Sequence, residues 1–105
     1  MLKTAILVSA MSAGLMVATV ASAADAAVGQ KLFETTCVAC HGAKGISIAP
    51  IYPNLAGQKE QYLIDQLKAF HDGTRVNPIM QPMAAPLSDT DIANIAAFLS
   101  SLKPE

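Results

Sequence analysis

The sequence predicts an all-α domain with three main helices and two long loops. Three observations carry that expectation. Apolar residues recur at helical spacing in three separate stretches, each with capping residues at an end. No stretch alternates apolar and polar residues as a half-buried strand does, and no internal repeat occurs. Between the helical stretches lie two segments crowded with glycine and proline. They are long for connections in a chain of 105 residues, so they need something to wrap around.

The first residues are read as a leader rather than as part of the domain. Lys3 supplies a positive start, an apolar run follows from Ala5 to about Val20, and Ala21-Ser22-Ala23 fits the small-residue cleavage pattern of an exported protein. Residues 1–23 are therefore expected to be a cleaved signal peptide, leaving a domain over 24–105 that works in the periplasm. An uncleaved membrane anchor is the alternative, but Ser9, Ser12, Gly14 and Thr19 dilute the run, which barely reaches the roughly 18–20 residues needed to span. The remaining domain is small enough that its core needs a staple. Without Lys3 it carries six basic and eight acidic side chains, a net charge of −2. Its lysines are scattered, which excludes a nucleic-acid footprint.

Asp25 is placed to cap a first helix running from about Ala26 into Cys37-Val38-Ala39-Cys40-His41, with Val28, Leu32 and Phe33 on its apolar stripe. Gly29 lies on the face of Phe33. A glycine there costs about 1 kcal/mol relative to alanine, so it is expected to admit another helix closely. Gly42 to Gln58 is the first loop. Lys59 to about Asp72 reads as the second helix, with Tyr62, Leu63, Leu67 and Phe70 in period and Gly73 as its left-handed cap. Thr74 to Leu87, punctuated by Pro78, Pro82 and Pro86, is expected to be non-helical. Ser88 and Asp91 then open the last helix as a capping box with aspartate in the usual glutamate place. Ile92, Ile95, Ala96, Leu99 and Leu102 line one face with Phe98 beside them, and Pro104 ends it.

The chemistry concentrates in Cys37, Cys40 and His41. C-x-x-C-H is the attachment signature of a c-type haem. On a helical turn the three residues fall at i, i+3 and i+4 and share one face. Both thiols can then form thioethers with the haem vinyl groups while the imidazole binds iron. A structural zinc site would need about four protein ligands, and a thioredoxin-like pair would need a strand before it; neither is visible. A haem also supplies the missing staple and explains a core with only three Phe and two Tyr. His41 should donate its other ring nitrogen to a carbonyl, and the Pro50 carbonyl is the expected acceptor. For the sixth iron position, Met80 and Met83 are both candidates, since a thioether is a soft, neutral ligand that raises the haem potential. Residue chemistry does not separate them. His71 competes, but near a helix C-terminus its ordinary role is to complement the dipole. Arg75, Asn77, Gln58 and Tyr52 are candidates for the haem propionates, Arg75 foremost because guanidinium suits carboxylates.

The chain resembles the class I cytochrome c family, in particular its small periplasmic monohaem members and the single-haem halves of their dihaem relatives. The resemblance rests on Cys37 to Gly42, on Ala49-Pro50 with Tyr52-Pro53-Asn54-Leu55-Ala56-Gly57-Gln58, on Tyr62-Leu63 with Gln66-Leu67, on Met80, and on Leu87-Ser88-Asp89 with Asp91-Ile92. It implies the cytochrome c fold, three main helices and two loops wrapped around one haem attached through Cys37 and Cys40. It also implies that Met80 rather than Met83 is the ligand, that the first and last helices cross near Gly29, Phe33 and Phe98, and that Pro50 supports His41.

The function expected is electron transfer, not enzymatic catalysis: protein ligands on both faces of the iron keep substrate away. Partners would be transient redox proteins met by a monomer. Two alternatives stay open. One is a haem-bearing subunit of a larger oxidoreductase complex. The other is a haem protein with an open sixth position, which would need an acid–base group near the iron.

Overall fold

The computed structural model of the protein describes residues 23–105, with Thr4, Ala5 and Gly14 before them. Apart from those positions, the expected leader lies outside the described residues. Among the described residues there are five helices and no strand: α1 (Ala26–Thr36), α2 (Val38–His41), α3 (Glu60–Asp72), α4 (Met80–Ala84) and α5 (Asp89–Ser101). None of these helices is long and apolar enough to cross a membrane.

Capping chemistry sets the ends of the longer helices. The Asp25 carboxylate accepts the Ala27 and Val28 amides at 3.0 and 3.2 Å. At the start of α5 the Ser88 hydroxyl accepts the Asp91 amide at 3.0 Å, and the Asp91 carboxylate accepts the Ser88 amide at 3.0 Å. The capping box therefore forms with the shorter aspartate. Gly73 ends α3 in the left-handed conformation.

The core is a crossing of α1 and α5, with α3 packed against α5. Phe33, Leu63, Ile95, Ala96, Phe98 and Leu99 are buried together. The Phe33 and Phe98 rings lie 5.6 Å apart, tilted at 52°, within the range where aromatic pairs add to plain burial. Gly29 makes the crossing possible: a Cβ there would overlap the Asn94 carbonyl. The buried stripe of α1 is thus Gly29 with Phe33, one turn apart, while Val28 stays 43 % exposed. Asn94 is the polar residue in this seam, and its Oδ1 accepts the Asp25 amide at 2.8 Å.

The segment from Thr74 to Leu87 departs from expectation, because α4 forms inside it. Pro82 is tolerated there because it occupies the third helical position, where an amide has no intrahelical acceptor to lose. Pro78 and Pro86 lie just outside the helix. The prolines therefore bound a short helix instead of abolishing one.

Candidate haem site

Cys37 separates α1 from α2, and its amide still bonds back to the Phe33 carbonyl at 2.8 Å. The chain stays coiled through the motif, so Cys37, Cys40 and His41 sit on consecutive turns. Both thiols are half-buried and unpaired. Burial, and then the neighbouring Cys40, push the Cys37 thiol above its ordinary pKa. The Tyr52 hydroxyl is also raised, first by its hydrogen bond with Cys40. Gly42 closes α2 at φ 77° with its Cβ position filled by the Ile46 carbonyl, a turn open to glycine alone.

His41 is buried, and its Nδ1 lies 3.0 Å from the Pro53 carbonyl. A carbonyl only accepts, so Nδ1 carries the proton and Nε2 keeps its lone pair for a metal. This corrects the expectation that Pro50 is the acceptor. Residues 49–52 close into a turn, with the Tyr52 amide on the Ala49 carbonyl at 3.1 Å. The Ser47 hydroxyl ties that turn through the Ala49 and Tyr52 carbonyls at 3.0 and 2.6 Å. Pro50 is left exposed on the outside of the turn, and the chain returns to His41 three residues later. The Y-P-N-L run held the signal for Pro53, but either proline satisfies the same reading in one dimension.

The motif opens onto an apolar cleft. Phe33, Leu55, Leu67 and Leu99 wall it, and Cys37 and His41 line it. Met80 and Met83 both reach it from α4, joined by Ala84 and Leu87. No buried side-chain nitrogen or oxygen among the described residues lacks a hydrogen-bond partner. A flat apolar macrocycle therefore meets the Cys37 thiol, one free imidazole nitrogen and thioether sulfur, with no stranded polar group in its way, while Cys40 lies one turn along the motif and does not itself line the cleft. The residues fit a haem.

The other candidates are placed elsewhere. His71 is exposed, and its Nδ1 donates to the Ala84 carbonyl at 3.0 Å. Arg75 donates to Gln66 Oε1 at 2.7 Å with its guanidinium 4.6 Å above the Phe70 ring. Neither lines the cleft. Gln58 Oε1 accepts the Lys59 amide at 2.9 Å, and Asn77 caps the turn that leads into α4.

A family profile described as Cytochrome c matches residues 26–103. The chain belongs to the cytochrome c family. It is 54 % identical over 82 residues to cytochrome c-554(548) of Halomonas halodenitrificans, covering 75 % of this chain and 98 % of that one. It is 51 % identical over 70 residues to the thiosulfate dehydrogenase electron acceptor of Thiomonas intermedia, covering 66 % of this chain and 32 % of that protein. Among solved structures, reduced recombinant cytochrome c4 from Pseudomonas stutzeri superposes with a TM-score of 0.72 at 43 % identity, over 77 % of this chain and 47 % of that one. The chain thus spans nearly all of one relative and less than half of the other two. This cytochrome c has the family's fold, carries one haem c attached through Cys37 and Cys40, and is an electron-transfer protein.

Proposed function

We propose that this cytochrome c is a freely diffusing periplasmic carrier of single electrons, with His41 and Met80 as the two axial ligands. One observation supports it above others: among the described residues, His41 and the anchoring thiol Cys37 are the only titratable groups lining the cleft. Chemistry on a bound reactant needs a positioned acid or base, and no titratable group beyond this ligand and anchor lines the space among the described residues. When bound, the haem supplies a one-electron couple between ferric and ferrous iron. The chain's own residues do the rest. Pro53 holds the His41 tautomer, the apolar walls exclude water, and α4 presents sulfur. Arg75, set by Gln66 and Phe70, retains the donors that a propionate would take. Cleavage after Ala23, a monomeric state and transient protein partners complete the proposal.

A second reading is favoured by one comparison. The relative from Thiomonas intermedia is named as the electron acceptor of a dehydrogenase, so a place as the haem subunit of such a complex suits this chain as well. Copurification of a stoichiometric second chain from periplasm would establish that reading in place of the free carrier.

The visible spectrum tests the site. Native ferric protein should be low-spin, with a sulfur-to-iron charge-transfer band, and ferrous protein should resist carbon monoxide. Met80→Ala should abolish the band and lower the potential, while Met83→Ala should leave it. The reverse pattern moves the ligand to Met83. A high-spin native spectrum with immediate carbon monoxide binding overturns the closed site.

A further inference from the structure

α4 brings both methionines to the cleft, yet it has little means of holding itself together. It is five residues long and includes a proline. A single turn of helix is unstable unless something outside it fixes the ends.

Asn77 fixes one end. Its Oδ1 accepts the amides of Ile79 and Met80, each at 2.9 Å. Gln81 answers from inside the helix: its Oε1 accepts the Asn77 amide at 2.8 Å, while its own amide reaches the Asn77 carbonyl at 3.1 Å. Ser88 and Asp91 bond each other directly at the start of α5; here the Asn77 oxygen takes two amides while the return bond comes from Gln81 one residue further on. At the other end, His71 on α3 donates to the Ala84 carbonyl at 3.0 Å. Among the described residues, no other hydrogen bond joins α4 to another helix.

We propose that Asn77, clasped by Gln81, is the positioning residue for the sulfur ligand: its cap decides how often Met80 leaves the iron and therefore how readily an external ligand replaces it. The proposal rests on the reading of Met80 as ligand. Asn77 does not touch the iron. It acts by holding the amide of the residue whose sulfur does. A looser turn populates a state with the sixth position free, and an external ligand binds in proportion to that population.

Imidazole is the probe. In ferric holoprotein its nitrogen takes the position that the sulfur vacates; the iron stays ferric and no electron moves. Loss of the charge-transfer band follows the titration. Asn77→Ala should tighten apparent imidazole binding by about 5- to 30-fold, the typical to upper effect of a lost side-chain cap. Asn77→Asp keeps an acceptor oxygen and should stay within about 2-fold of native. Ser88→Ala removes a comparable cap at α5; it should lower global stability and leave imidazole binding unchanged, which separates positioning from general loosening. Native-like binding in Asn77→Ala, or equal tightening in Asn77→Asp or Ser88→Ala, overturns the proposal. If Asn77→Ala yields no holoprotein, Gln81→Ala decides: about 3-fold tightening supports the clasp, and none refutes it. Met80→Ala stands beside the series, since a band that survives there refutes the ligand reading itself.

Discussion

The segment that supports His41 and the segment that carries Met80 are held in different ways. From Gly42 to Gln58 the chain is laced by main-chain bonds: the Leu55 and Ala56 amides meet the Gly45 carbonyl at 2.8 and 3.0 Å, and the Gly57 amide meets the Leu99 carbonyl of α5 at 3.0 Å. Asn54 adds its Oδ1 to the Ser47 amide at 2.9 Å. The Asn77–Leu87 segment has its main-chain bonds within itself and depends on the side chains of Asn77, Gln81 and His71 to fix α4. A lattice of backbone bonds opens only as a unit, whereas a capped turn can open alone. His41, at the end of α2, is thus held by the loop that follows the covalent anchors. Met80, the proposed second ligand, sits on a part that can leave and return.

The sharpest break of this comparison is His41→Ala. It removes the proposed ligand that the first loop holds through Pro53, and stable haem-bearing protein should not accumulate; pigment yield in periplasmic extracts measures it. Normal yields of low-spin protein would refute the assignment. Next comes Gly29→Ala, which pushes a Cβ into the Asn94 carbonyl and should cost about 2 kcal/mol or more of stability in denaturant titrations. Because the α1–α5 crossing underlies both segments, the two ligands should be lost together in that variant. The smallest effect is expected from Ser47→Ala. It deletes the hydroxyl that ties the Ala49 and Tyr52 carbonyls and should cost about 1 kcal/mol. Imidazole affinity should not change, since α4 is untouched. A Ser47→Ala protein that bound imidazole more tightly would mean that the two segments open as one.

Much of this was legible in one dimension because the relevant atoms are close in sequence. Cys37, Cys40 and His41 lie within two turns of helix, so spacing alone puts them on one face. The Asp25 and Ser88 caps act over two or three residues, and local hydrogen bonding reads them directly. Gly29 stood out because a helix seldom keeps a glycine without a close neighbour. The misreadings share a cause. Choosing between Pro50 and Pro53 required knowing which way the Ser47 turn curls. Seeing α4 required weighing Pro82 by its position in a helix rather than by its identity. Nothing local announced that the Asn77 oxygen would be spent on two amides.

The amino-acid sequence by itself determined the covalent anchors, the helix ends and the all-α architecture, since each depends on groups a few residues apart. Tertiary structure alone decided which carbonyl orients His41, that Asn94 fills the seam between α1 and α5, and how α4 is pinned from outside. Those choices depend on where separate segments meet, and that is settled only when the chain packs around its core.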